Sequence, residues 1–295
     1  AVVALAEQNG VSRNRLALPT PFEENFPTIN PVDSLVGSWR RQKETLQSKQ
    51  LFKNIMVSVG EDELSWAALE QALIVAQREQ GQVRGLHVVT EQSDQIEMIE
   101  AFNQRVGRAG VSGELAFEMG DLYKTINDRS RWSDLVVLSL SNPPSELFFE
   151  RWTSGWRNVI LRSSRPVLAV PAVSGMHKAL LAYDGSAKAN EALFIAAHAA
   201  AQWEIPLVVL AAEQTLNQAS NVAKARAYLE SRGIEAEYVM HKGDAAINIL
   251  LTAAQKSCDF ILMGGYGSTG MVELFMGSTV DQVLRNAICP VLICR

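Results

Sequence analysis

The chain has 295 residues, enough for about two domains, and its 47% hydrophobic and 20% charged composition excludes a mostly disordered protein. Twenty-seven Lys+Arg against 32 Asp+Glu leave a net charge of −5, and no basic run exceeds Arg40-Arg41, which argues against nucleic acid or an anionic membrane as partner. Three cysteines, Cys258, Cys289 and Cys294, are too few for a disulfide framework and lack metal-ligand spacing, so a reducing, cytoplasmic setting is expected.

In chain order, Pro19, Pro21, Pro27 and Pro31 mark residues 1–50 as a proline-rich arm leading into one helix. The chain starts Ala1-Val2-Val3, with no basic segment typical of a signal peptide and no initiator Met, which suits a processed product or the soluble part of something longer. No membrane span is expected, because the most apolar stretch, residues 192–212, is interrupted by His198, Gln202, Glu204 and Pro206.

From residue 51 the texture is β-α-β. Strands are predicted at 54–59, 83–90, 113–119, 135–139 and 166–170, with helices at 65–80, 92–108, 121–130 and one ending near 162. The pattern then recurs, with strands at 179–183, 207–212, 235–241, 260–263 and 290–294 and helices at 187–203, 216–232, 245–256 and 279–286. Leu86 matches Leu210, Gly120-Asp121 matches Gly243-Asp244, Asp134 matches Asp259, and Pro166-Val167-Leu168 matches Pro290-Val291-Leu292, at offsets of 123 to 125 residues. The expectation is an α/β protein of two tandem, doubly wound, five-stranded parallel-sheet domains, 51–172 and 177–295.

Ligands of open α/β sheets sit at the carboxyl ends of strands, which directs attention to the loop after 260–263. It reads Gly264-Gly265-Tyr266-Gly267-Ser268-Thr269-Gly270 and, further on, Gly277-Ser278-Thr279 at a helix start. Glycines let backbone amides reach a phosphate, and a helix N-terminus adds unsatisfied N–H groups. A P-loop is excluded because no lysine precedes Ser278. Gly265, Gly267 and Gly270 satisfy GxGxxG, but after the fourth strand of the unit and without the acidic residue about twenty positions on that a dinucleotide fold requires. The third reading takes Gly264-x2-Gly267-x9-Gly277-Ser278.

On that motif the sequence resembles the universal stress protein family, whose nucleotide-binding members carry G-x2-G-x9-G-[ST]. Ala182-Tyr183-Asp184-Gly185-Ser186, Gly243-Asp244-Ala245 and Pro290-Val291-Leu292-Ile293 lie in register with it, strongly over 178–295 and more weakly over 52–171. The resemblance implies a Rossmann-like sheet of order 3-2-1-4-5 and an adenine nucleotide (ATP, AMP or ADP) as ligand, with Mg2+ carried by it. Gly264, Gly267, Gly277 and Ser278 would hold phosphates, assisted by Thr279; Asp184 would lie near ribose and adenine; Ala212 and Met263 would wall the base. Asp184 also suits a turn on its own. The last strands, 166–170 and 290–294, would pair to make an intramolecular pseudo-dimer, and a homodimer is open. In the first half Gly60 stands for Asp184, Ser139 and Asn142 for the first two glycines, and Thr153-Ser154 for Gly277-Ser278, so this half is expected not to bind ATP, with Pro143-Pro144 crowding the phosphate path.

His87, His177, His198 and His241 show no metal spacing, and His198 suits a hydrogen-bonded ring on a helix packing face. Trp132, Trp152, Trp156, Phe148 and Phe149 suit local packing or, less simply, a partner surface; redox sensing by the cysteines lacks a basic neighbour beyond Arg295. No acid, base or lysine is evidently placed against a γ-phosphate, so no catalytic residue is assigned. The leading expectation is a non-catalytic ATP-binding stress-response or regulatory protein with one competent site. The alternatives are a cytosolic nucleotide-sensing module of a membrane transporter or channel, and a slow ATP hydrolase.

Overall fold

The alternation of short β-rich runs with alanine- and leucine-rich stretches becomes one continuous sheet flanked by helices. A computed structural model describes residues 50–89, 95–141, 143–144, 155–213, 218–266 and 278–295. The first half runs β1 (Asn54–Ser58), α1 (Glu63–Glu79), β2 (Gln82–Val89), α2 (Ile96–Ala109), β3 (Ser112–Met119), α3 (Leu122–Ser130), β4 (Leu135–Ser139), α4 (Gly155–Arg162) and β5 (Val167–Val170). The second repeats it: β6 (Ala179–Ala182), α5 (Ala187–Gln202), β7 (Leu207–Glu213), α6 (Gln218–Glu230), β8 (Ala236–Lys242), α7 (Ala245–Gln255), β9 (Phe260–Gly264), α8 (Thr279–Asn286) and β10 (Val291–Cys294).

The predicted elements appear in order. The helix expected at 216–232 stops at Glu230 because Gly233 adopts a left-handed φ of 69° and the chain turns back, Ile234 N–H donating to Leu229 O. The proline-rich arm, and with it the predicted helix of residues 1–50, lies outside the described residues but for its last position.

The sheet order is β3-β2-β1-β4-β5-β10-β9-β6-β7-β8, so each half has the order 3-2-1-4-5. Strands within each half are parallel, and β5 and β10 pair antiparallel through Leu168 and Leu292. The two apolar edges expected to pair thus close each other. Register repeats between halves: Ser58 lies beside Leu86 as Ala182 lies beside Leu210, and Ser139 beside Val170 as Gly264 beside Cys294. Asp134 and Asp259 repeat for a shared reason. Each carboxylate accepts a backbone N–H at the start of its half's first strand, from Asn54 at 2.9 Å and from Lys178 at 2.8 Å.

Alternating side chains divide the core into two layers. One face buries Ile55 and Val57 with Leu69 and Leu73 of α1 and Ala192 and Ala196 of α5; the other buries Met56 and Val136 with Ile126, Val159, Ile249 and Val283. Both layers run through both halves. Charged contacts reinforce the junction. Glu79, 1% exposed, accepts from Leu51 N, Phe52 N, His198 Nε2 and Trp203 Nε1, the last two at 2.7 Å. Burial pushes the Glu79 carboxyl up, but the His198, Leu51 and Trp203 hydrogen bonds outweigh it and hold its pKa below the ordinary value. Arg78 donates to the carbonyls of Gly175 and Met176 and lies over the Trp203 ring. His198 is therefore a hydrogen-bonded packing histidine, with a buried carboxylate as its partner.

Candidate functional site at the carboxyl edge of the second half

Strands β6 and β9 are neighbours whose connections leave in opposite directions, which makes the gap beyond their carboxyl ends the ligand crevice of this topology. Met263, next to last in β9, is buried. At Gly264 a Cβ would come within 3.0 Å of Ala189 N and 3.1 Å of Lys188 Cβ, so the missing side chain lets the strand end meet the first turn of α5. Gly265 N–H donates to Cys294 O at 2.6 Å, which fixes the loop's departure from the sheet.

Tyr266 anchors the next step. It is buried, its carbonyl accepts from Lys188 Nζ, and its hydroxyl donates to Asp281 Oδ1 at 2.5 Å. Burial and the adjacent Asp281 carboxylate push the Tyr266 hydroxyl well above its ordinary range, so it remains a donor. Arg157, from α4 of the first half, lies 4.6 Å from the Tyr266 ring centre and 3.5 Å from Asp281 Oδ2. The root of the glycine loop is thus held partly by the other half.

Ser278 is buried and caps α8, its Oγ accepting Asp281 N–H at 3.1 Å, and Thr279 opens the helix. Asp184 follows β6, is exposed, and accepts Ser186 N–H at 2.9 Å, while its carbonyl accepts from Asn221 Nδ2. Ala212 lies in β7 beside His241. Gly267 and Gly277 lie outside the described residues. Asp184, Ala212, Met263 and Gly264 therefore share one sheet edge, and Ser278 and Thr279 start the helix after the loop. The sequence reading missed Lys188, Tyr266, Asp281 and Arg157. Only the spacing of Arg157 and Asp281, at matching positions of the repeat, offered a signal.

Helix capping sets the electrostatics. α5 and α8 are capped by the neutral hydroxyls of Ser186 and Ser278, which satisfy one N–H each; the first turn of α8 carries one carboxylate, Asp281, which faces Tyr266 and Arg157.

Comparison with known proteins adds a family. Residues 210–295 match the universal stress protein family. The chain carries a universal stress protein domain. It is 27% identical over 194 residues to the universal stress protein Slr1230 of Synechocystis, covering 64% of this chain and 67% of that one. In fold it resembles a universal stress protein from Archaeoglobus fulgidus, with a TM-score of 0.70 at 20% identity over 84% of this chain and 97% of that one. The cytoplasmic domain of a prokaryotic cation chloride cotransporter overlaps it at a TM-score of 0.53 and 13% identity, covering 81% of this chain and 94% of that one. Among the described residues no helix is long and apolar enough to cross a membrane.

At the matching edge of the first half lies a cavity of about 550 Å3. Gly60, Val88, Leu138 and Ser139 line it, the register counterparts of Asp184, Ala212, Met263 and Gly264 of the second half. Tyr123 lines it on the side of α4. A Cβ at Gly155 would fall 1.8 Å from the Tyr123 ring, so that ring lies against the first residue of α4, the counterpart of Thr279. Asn142, Thr153, Ser154, Phe148, Phe149 and Trp152 fall outside the described residues.

The three cysteines are buried free thiols, Cys258 and Cys289 before β9 and β10 and Cys294 at the end of β10. Burial raises the Cys258 thiol to about 11 and that of Cys289 to about 12, and pushes Cys294 higher still, so none is a ready thiolate.

Proposed function

We propose that the second half, residues 177–295, binds one adenine nucleotide per chain and acts as a regulatory rather than catalytic module. The observation that carries this reading is the start of the glycine loop, Gly264 to Tyr266, leaving β9 at the crevice between β6 and β9 beside the serine-capped first turn of α5. Backbone amides there have no competing carboxylate cap, and hydroxyls can donate to phosphate oxygens. Gly264, Gly267, Gly277, Ser278 and Thr279 are assigned to the phosphates, Asp184 to the ribose and adenine, and Ala212 and Met263 to the walls of the base site. Mg2+ would arrive with the phosphates. Calorimetry with ATP, ADP and AMP tests it, with a stoichiometry near one as the expected result and two sites or none as the contrary ones. Turnover of ATP is expected to stay below ~1 s⁻¹, since amides and hydroxyls bind phosphate without favouring its transition state.

A second reading, a cytosolic regulatory module of a transporter or channel, draws on the overlap of both halves with the cotransporter's cytoplasmic domain. A membrane-spanning segment in the full gene product decides it.

A further inference from the structure

The cavity of the first half has the size of a small-molecule site, about 550 Å3, and sits at the ligand crevice of its own sheet. Its chemistry is unlike that of the second half. Ile126, Leu138 and Trp156 give it an apolar floor, and Asp62 and Glu63 stand at its mouth; among its described lining residues there is no lysine or arginine. The helix ends that could hold an anion are already used: Asp62 Oδ1 accepts Ser65 N–H at 3.0 Å on α1, Asp121 caps α3, and Tyr123 covers the start of α4. The second Asp62 oxygen, which the cap leaves free, lies over Gly60, 3.1 Å from where a Cβ would stand. His87 adds a further acceptor. Its Nδ1 lies 2.8 Å from Val59 O, a carbonyl that can only accept, so in the neutral ring Nδ1 carries the hydrogen and Nε2 keeps its lone pair.

Acceptors at the mouth over an apolar floor, with no lysine or arginine among the described lining residues, suit a ligand of the opposite kind. We propose that this cavity binds a small organic ammonium compound with a flat apolar body, its N–H groups directed to Asp62, Glu63 and His87 and its body on Leu138 and Trp156. The halves would then sense two chemically opposed ligands. This inference does not depend on nucleotide binding in the second half.

The probe is tryptamine, with indole-3-propionate as its charge-reversed counterpart, titrated into the full chain by calorimetry and by the NMR shift of the Trp156 indole N–H. Tryptamine is expected to bind saturably with a Kd of ~1 mM or tighter, and indole-3-propionate at least about tenfold more weakly. The double variant Asp62→Asn, Glu63→Gln retains a capping side chain, since Asn caps a helix about as well as Asp, and should weaken tryptamine about tenfold. Ser139→Trp, which fills the cavity from the end of β4, should abolish binding. Equal or tighter binding of indole-3-propionate, an unchanged tryptamine affinity in the double variant, displacement of tryptamine by ATP, or no saturable binding to folded protein would each overturn the proposal.

Discussion

At the carboxyl edge of the second half, neutral serines cap the two helices that flank the glycine loop; at the same edge of the first half, Asp62 caps the helix matching that of Ser186, and Tyr123 lies over the start of α4. Strand register is shared to the residue, so the sheet does not distinguish the two crevices. The difference lies in a few positions after each strand: a carboxylate for a hydroxyl at a cap, an aromatic ring over a helix end, Gly60 for Asp184. Backbone topology supplies both crevices, and these substitutions change the charge and the helix ends that line them.

The junction shows the same divergence put to structural use. Glu79 and Trp203 occupy matching positions of the repeat, as do Arg157 and Asp281, and each pair interacts across the halves. In a symmetric dimer of identical domains, residues near the two-fold axis meet their own copies, which would set Glu79 against glutamate and Arg157 against arginine. Fusion into one chain lets equivalent positions become complementary. The sheet between them is continuous, which suits a single unit better than two loosely joined domains.

The largest effect is expected at the position where the two edges differ most in the binding motif. Gly277→Val places two methyl groups where the backbone is assigned to meet a phosphate oxygen, and should abolish nucleotide binding without unfolding the protein. Thr153→Val, at the aligned position of the first half, should leave affinity within about twofold, under ~0.5 kcal/mol. Equal losses in calorimetry would mean that the first half also binds nucleotide.

Next in size is the junction. Glu79→Ala removes the acceptor of four hydrogen bonds and leaves the donors of His198 and Trp203 buried; a loss of about 3 to 5 kcal/mol in denaturant unfolding is expected, from several buried donors left unpaired at ~1 to 3 kcal/mol each. Both halves should unfold together in a single transition. A first half that melts separately would show that the continuous sheet does not couple them.

Asp184→Ala should weaken nucleotide by ~1 to 3 kcal/mol, the range for losing a hydrogen bond to a charged group. Because Asp184 also accepts Ser186 N–H, Asp184→Asn serves as the control that keeps the turn. If the alanine and asparagine variants lose equally, the carboxylate charge itself is used; if only alanine loses, the turn is what matters.

The repeat and the order of the elements were legible because they rest on local pattern, the apolar period and the paired Gly120-Asp121 and Gly243-Asp244, Asp134 and Asp259; the sheet order followed from the family resemblance. The cavity of the first half was not, since its lining joins residues far apart in sequence, such as Tyr123, 32 positions before Gly155 and against it in space. Glu79 was equally hidden. A glutamate at a helix end reads as surface, and only the packing of α5 on α1 buries it beside His198 and Trp203. Arg157, Tyr266 and Asp281 likewise meet through tertiary packing that no local period encodes.

The smallest predicted effect is the pH dependence of the Glu79 junction, and its sign follows from the direction of the shift. Hydrogen bonds from His198, Leu51 and Trp203 overcome burial and place the native Glu79 pKa below its ordinary value of 4.5. A carboxylate with a depressed native pKa contributes stability that is fully present above the unfolded value and is lost as pH falls through the native one. The difference in unfolding free energy between the parent and Glu79→Gln should therefore shrink below pH ~4.5, by at most ~1.4 kcal/mol per pH unit. The paired comparison removes the titration of other carboxylates, including Asp259, whose pKa is also held low by backbone N–H groups of His177 and Lys178 against its burial. A gap that widens on acidification would mean that Glu79 is protonated in the native protein and donates, which would remove the charge assigned to this half of the junction.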